Sequence, residues 1–125
     1  MKQRILVVED QEDNRRIMRD LLVSAGYDVI EAVSGAEGVE KAATEKPDLI
    51  LMDLQLPVID GLEATRRIKA KPALRETPVI AVTSYALSGD NEKAVAAGCD
   101  TYFSKPVSPR HLLAKIRSML PKRGK

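Results

Sequence analysis

One cysteine and one histidine are all that the 125 residues contain of either type, and each scarcity removes a class of chemistry. Cys99 cannot close an internal disulfide, which fits a reducing compartment and leaves it as a small buried filler near a helix end rather than a redox centre. His111 is alone, so no multi-histidine metal site and no internal histidine pair exists. Its place in the first turn of a helix reads as surface. Long apolar runs are missing too: none approaches the roughly 20 residues that cross a bilayer. The N-terminal ILVV stops at acids rather than at a small-residue cleavage site, so no membrane segment or leader is expected and the reading is cytoplasmic. Nor does one sign of charge dominate. The chain has 20 basic and 18 acidic side chains, but Lys122, Arg123 and Lys125 sit at its end, so residues 1–121 hold 17 basic against 18 acidic. That balance argues against a nucleic-acid footprint.

Internal repeats, low-complexity tracts and interdomain linkers are also absent. The length corresponds to about one domain, large enough to bury a core without staples. One domain over residues 1–121 is expected, followed by a short basic tail at 122–125, with no output domain attached within the chain.

Short β-rich runs alternate with helical patterns. Ile5–Val8, Asp28–Glu31, Asp48–Met52, Val79–Val82 and Thr101–Ser104 read as strands, separated by segments long enough for helices. In the first helix Ile17, Met18, Leu21, Leu22 and Ala25 form one apolar stripe, as do Leu112, Leu113, Ile116, Met119 and Leu120 in the last. Ser34 with Glu37 and Asp60 with Glu63 have capping-box spacing, and Ser108 precedes a first-turn proline. Gly26 and Gly98 mark helix stops. The fourth helix, about Asp90 to Ala97, has only Ala94, Val95 and Ala97 to bury, so a looser hold is expected there.

Such alternation implies a mostly parallel sheet with helices on both faces, and sheets of this kind place ligands beyond the carboxyl ends of their strands. The chemically capable residues gather at those ends. Asp53 closes KPDLILMD and precedes LPVIDG; Glu9 and Asp10 follow ILVV; Thr83 follows PVIAV; Lys105, with Pro106 behind it, follows TYFS. The second strand exits at Ala32 and Val33, which offer no chemistry. Each residue has an ordinary explanation when taken alone. Acids suit a helix start, Asp53 could serve a turn, Lys105 a solvated surface, and Thr83 is a common strand residue. Their coincidence at four strand ends overrides those explanations.

VVEDQEDN, LILMDLQLPVIDGLEATRRIK, PVIAVTSYALSGD and AGCDTYFSKPVS, in this order and spacing, resemble the receiver domain of two-component response regulators over nearly the whole chain. The wording is especially similar to single-domain cell-cycle receivers. The resemblance implies a flavodoxin-like (βα)5 three-layer sandwich with a five-stranded parallel sheet in the order 2-1-3-4-5. It implies a phosphoacceptor signalling protein rather than an enzyme acting on a free substrate. Asp53 would be the phosphoacceptor, with Mg2+ or Mn2+ held by Asp10, Asp53 and the backbone carbonyl of Gln55, and by Glu9 through water. Lys105 would pair with a phosphoryl oxygen, and Thr83 and Tyr102 would form the switch. The Lys105–Pro106 peptide bond would be cis. Gln55 and Tyr85 would flank the path of the hydrolytic water; Gln55 could orient that water or obstruct it, whereas the ring of Tyr85 mainly obstructs, which favours a longer-lived phosphoryl group than in fast chemotaxis receivers. Implied partners are a sensor histidine kinase or histidine phosphotransfer protein, and an effector met through the fourth helix, fifth strand and fifth helix.

The residue types suit that chemistry independently. A carboxylate can attack phosphorus, but two approaching anions need a divalent cation and a lysine to neutralise them. Magnesium favours hard oxygen donors. Two rival readings fail on single features. A phosphohydrolase of the haloacid dehalogenase type needs a second acid two residues after its nucleophile, where this chain has Gln55. A flavodoxin-like cofactor carrier needs a phosphate-cradling loop after the first strand, where EDQED would repel the anion.

Overall fold

A computed structural model of the protein describes residues 2–84 and 90–120, with backbone alone at 90 and 91. Strands β1 (Arg4–Val8), β2 (Asp28–Ala32), β3 (Leu49–Asp53), β4 (Val79–Thr83) and β5 (Thr101–Ser104) alternate with helices α1 (Glu12–Ser24), α2 (Gly35–Glu45), α3 (Gly61–Lys69), α4 (Asp90–Ala97) and α5 (Pro109–Met119). All strand pairs are parallel and the order is β2-β1-β3-β4-β5, the order that the resemblance implied.

The three central strands are apolar at nearly every position because helices cover both faces of the sheet. Side chains alternate between those faces with the period of a strand. Leu6 and Val8, with Ile50, Met52 and Ala81, pack against Ala42 of α2, Ala64 and Ile68 of α3 and Ala94 of α4. Ile5 and Val7, with Leu49, Leu51 and Ile80, pack against Leu22 of α1 and Leu112 and Ile116 of α5. Three layers result, with β2 and β5 as the edges.

The helix ends follow local chemistry. Glu37 N–H donates to Ser34 Oγ at 3.1 Å, Glu63 N–H to Asp60 Oδ1 at 2.9 Å and His111 N–H to Ser108 Oγ at 3.4 Å. Glu63 does not close its capping box; its carboxylate takes Arg66 and Arg67 instead. Gly26 (φ +98°) and Gly98 (φ +109°) adopt the left-handed backbone that ends α1 and α4.

The apolar stripe of α1 departs from expectation. Leu22 is buried, but Ile17 is 65% exposed and Ala25 is exposed as well. Ile17 lines an open groove with Met18, Leu21, Pro106 and Leu112 rather than entering the core. The α5 stripe buries Leu112, Ile116 and Leu120. In α4, Ala94 and Ala97 are buried while Val95 is exposed. A 3-10 turn over Pro72–Leu74, absent from the sequence reading, seats Leu74 in the core.

Candidate functional site

The parallel register sets the carboxyl ends of β1, β3, β4 and β5 side by side. Val8 lies opposite Met52, Asp53 opposite Val82, and Thr83 opposite Ser104. Glu9 and Asp10 follow β1, Asp53 ends β3, Thr83 ends β4 and Lys105 follows β5. One carboxylate oxygen from each of Glu9, Asp10 and Asp53 comes within 4.8 Å of the others. Lys105 Nζ stands 3.3 Å from Glu9 Oε1 and 3.5 Å from Asp53 Oδ2. The Lys105–Pro106 peptide bond is cis.

Burial sharpens the electrostatics. Glu9, Asp53 and Thr83 are all buried, and Asp10 is partly exposed. Loss of solvent pushes the Glu9 carboxyl above the ordinary glutamate range, and the Asp53 charge adds to the rise; the N–H of Gln11 and the Lys105 ammonium pull it back. Three carboxylates face one ammonium, and their hard, clustered oxygens are the donor set that a magnesium-like cation takes. The residues present therefore fit a divalent cation.

Backbone geometry aims the acids. Gln11 N–H donates to Glu9 Oε2 at 3.1 Å, and Gln55 N–H donates to Asp53 Oδ1 at 3.0 Å. The Gln55 side chain crosses to β4, where Nε2 donates to Thr83 Oγ1 at 2.6 Å and Oε1 accepts from Ser84 N–H at 2.9 Å. Tyr102 is half-buried on β5 and packs against the core beneath α2, α3 and α4. Tyr85 and the basic tail lie outside the described residues.

The structure adds two participants that sequence reading passed over. Gly61 begins α3 against the backbone of β3's exit: a Cβ there would collide with Asp53 O and come within 2.7 Å of Leu54 Cα. The Asp-Gly at the end of LPVIDG signals a turn, but not this approach. Arg15 donates through Nη1 to Glu9 O at 2.9 Å and through Nε to Glu31 Oε1 at 3.0 Å, fastening the β1 exit to α1 and β2. No local pattern announces that bond, because Glu31 reaches Arg15 only once β2 lies beside β1. For Gln55 the sequence placed the side chain beside the path of a hydrolytic water, but gave no sign of its partners at the end of β4, which are 28 and 29 residues away.

Among the described residues no helix is long and apolar enough to cross a membrane. Cys99 is buried with Sγ 3.7 Å from Thr65 Oγ1, and burial pushes its thiol up, away from the reactive thiolate. His111 is exposed.

Comparison with known proteins agrees with this geometry. Residues 5–117 match the family model described as the response regulator receiver domain. The polar-differentiation response regulator DivK of Brucella ovis is 44% identical over 120 residues, covering 96% of this chain and 98% of that protein. The receiver domain of a sensor histidine kinase from Pseudomonas aeruginosa, solved with a magnesium ion coordinated in its active site cleft, is similar at a TM-score of 0.89 and 39% identity, over 95% of this chain and 98% of that one. A chemotaxis protein of Vibrio cholerae, CheY4, has a TM-score of 0.90 at 27% identity, over 96% of this chain and 100% of that one. The chain belongs to the response regulator receiver domain family and is a phosphoacceptor of two-component signalling.

Proposed function

We propose that Asp53 is the residue that takes the phosphoryl group, from a phosphohistidine on a sensor kinase or a histidine phosphotransfer protein. The observation that carries this reading is the convergence of Glu9, Asp10 and Asp53 within 4.8 Å of one another, with Lys105 Nζ 3.5 Å from Asp53 Oδ2. Asp10, Asp53 and the carbonyl of Gln55 would hold the cation directly and Glu9 through water. Bound there, magnesium supplies positive charge that offsets the repulsion between carboxylate and phosphoryl group.

The chain's own groups account for the remainder. Oδ1 of Asp53 is held by Gln55 N–H, which fixes the plane of the carboxylate and leaves Oδ2 on the Lys105 side. A carboxylate oxygen attacks phosphorus, the phosphorus–nitrogen bond breaks, and the imidazole departs with the electron pair. Lys105, fixed beside the reacting oxygens, stabilises the charge that spreads over the phosphoryl group. Thr83 then turns its hydroxyl to the phosphoryl oxygens and Tyr102 follows into the space released, changing the surface of α4, β5 and α5 that an effector reads. A two-state change of this kind needs differential contacts, and these two side chains supply them.

The chain acts on its own phosphoryl group, which it loses slowly, and not on a released substrate. Residues 1–121 form the receiver and 122–125 a short basic tail, in a cytoplasmic protein that needs neither nucleic acid nor membrane. Tyr85 would lengthen the phosphoryl lifetime by obstructing the hydrolytic water, which Gln55 would either orient or obstruct. Incubation with a small phosphodonor and magnesium tests the reading: an acid-stable, base-labile phosphate should form and disappear in Asp53→Asn. Undiminished labelling of that variant would overturn it.

A further inference from the structure

Gln55 joins two strand exits through its backbone N–H and both polar atoms of its side chain. Its backbone N–H holds Asp53 Oδ1 at 3.0 Å, its Nε2 donates to Thr83 Oγ1 at 2.6 Å, and its Oε1 accepts Ser84 N–H at 2.9 Å. The two side-chain bonds run in opposite senses. Rotating the amide by half a turn would set its NH2 against the Ser84 N–H, donor on donor, so one orientation satisfies both partners. Both partners belong to consecutive residues at the end of β4, and Thr83 is fully buried.

From this geometry we infer that Gln55 is a positioning residue that holds the β4 exit in its resting arrangement. It thereby sets how readily the switch turns over when a phosphoryl group arrives. The inference rests on the reading that Asp53 is the acceptor and Thr83 the switch hydroxyl. Carrying Thr83 toward a group on Asp53 moves Ser84 with it, and both bonds to Gln55 must break. Two hydrogen bonds of ordinary net worth bias such an equilibrium by about 5- to 150-fold toward rest. This is separate from crowding a hydrolytic water: a restraint acts on the approach to the phosphoryl-bound arrangement, whereas crowding acts only on decay.

Gln55→Met keeps the length of the side chain and removes both bonds; Gln55→Asn keeps the amide but is one methylene short of β4. Neither touches the backbone N–H and carbonyl of residue 55. Beryllofluoride with saturating magnesium, titrated by NMR, is the probe. Wild type should bind it with shifts centred on Asp53. Both variants should bind at least several-fold more tightly, and their free spectra at Ser84 and along β5 should lie partway from free to saturated wild type. Unchanged or weakened affinity, with free spectra superimposing on wild type, would overturn the restraint, as would a change confined to the phosphoryl decay rate. Failure of folded wild type to bind beryllofluoride near Asp53 would instead overturn the assignment of the acceptor, so the two failures are distinct. Thermal melts of both variants confirm that they are folded, and a melt shift alone, with unchanged affinity, also counts against the restraint.

Discussion

Glu9→Gln should stabilise the protein in the absence of divalent cations. Lys105 Nζ at 3.3 Å attracts the Glu9 charge by about 5 kcal/mol at an effective dielectric of ~20. Asp53, with an oxygen within 4.8 Å, repels it by about 3.5 kcal/mol on the same basis, and Asp10, partly exposed and therefore screened, adds a smaller share. Attraction and repulsion nearly cancel, so the burial of Glu9, which disfavours its charge, decides the sign. Glutamine keeps one oxygen, for the Gln11 N–H, and turns its NH2 toward Lys105 where Glu9 presented Oε1, so the gain is trimmed to about 1 kcal/mol, or roughly 3–6 °C in a melt of a domain this size. The pH dependence has a definite sign. Burial and Asp53 raise the folded Glu9 carboxyl above its ordinary value of 4.5, so the folded state binds the proton more tightly than the unfolded state. Wild type therefore recovers stability as pH falls from neutral through the raised value toward 4.5, and the advantage of the glutamine variant closes over that window. Magnesium works in the opposite direction by mass action, raising the wild-type midpoint more than that of Glu9→Gln and hardly moving Asp10→Asn. Melts at neutral and acidic pH, with and without magnesium, decide it. A glutamine variant less stable than wild type without metal, or an equal magnesium shift in Asp10→Asn, would refute the reasoning.

Three further outcomes follow from the same geometry. Gly61→Ala should cost about 1–3 kcal/mol in chemical denaturation, because the new methyl enters the backbone at Asp53 and Leu54 and must push α3 away from the site; a neutral result would contradict the close approach. Lys105→Ala should keep the fold by circular dichroism yet slow labelling by a small phosphodonor by about 100-fold or more, the scale of losing one fixed charge-stabilising group; wild-type labelling would remove Lys105 from the reaction. Beryllofluoride with magnesium should shift amides of α4 and β5, around Tyr102, more than those of α2, and a uniform shift would argue against the proposed switch.

Much of this was legible in the sequence because the signals were local. Short continuous apolar runs define β1, β3 and β4, and the acids and hydroxyl that close them land at the carboxyl edge where the site forms. The caps at Ser34, Asp60 and Ser108 were readable for the same reason: the hydroxyl or carboxylate and its N–H partner lie three residues apart. Alternation alone could not order the strands, since it constrains neighbours in sequence and not in space; the order came with the family resemblance and is the one the structure shows. Ile17 illustrates the limit. Helical spacing put it on the apolar stripe, but it is exposed and lines a groove with Met18, Leu21 and Pro106, because spacing fixes the face of a helix and not how much of that face its neighbours cover. Gln55 illustrates it further, because its two bonds to the β4 exit exist only after β3 and β4 pair.

The central claim is that one carboxylate, Asp53, receives the phosphoryl group. Its most direct test is mass-spectrometric mapping of wild-type protein phosphorylated by a histidine kinase or small phosphodonor in magnesium, with the acyl phosphate trapped by reduction before digestion. The account predicts modification at Asp53 alone, in the peptide bearing LILMDLQLP, and none at Asp10 or Glu9. A trapped label on any other residue, with Asp53 unmodified, would contradict it.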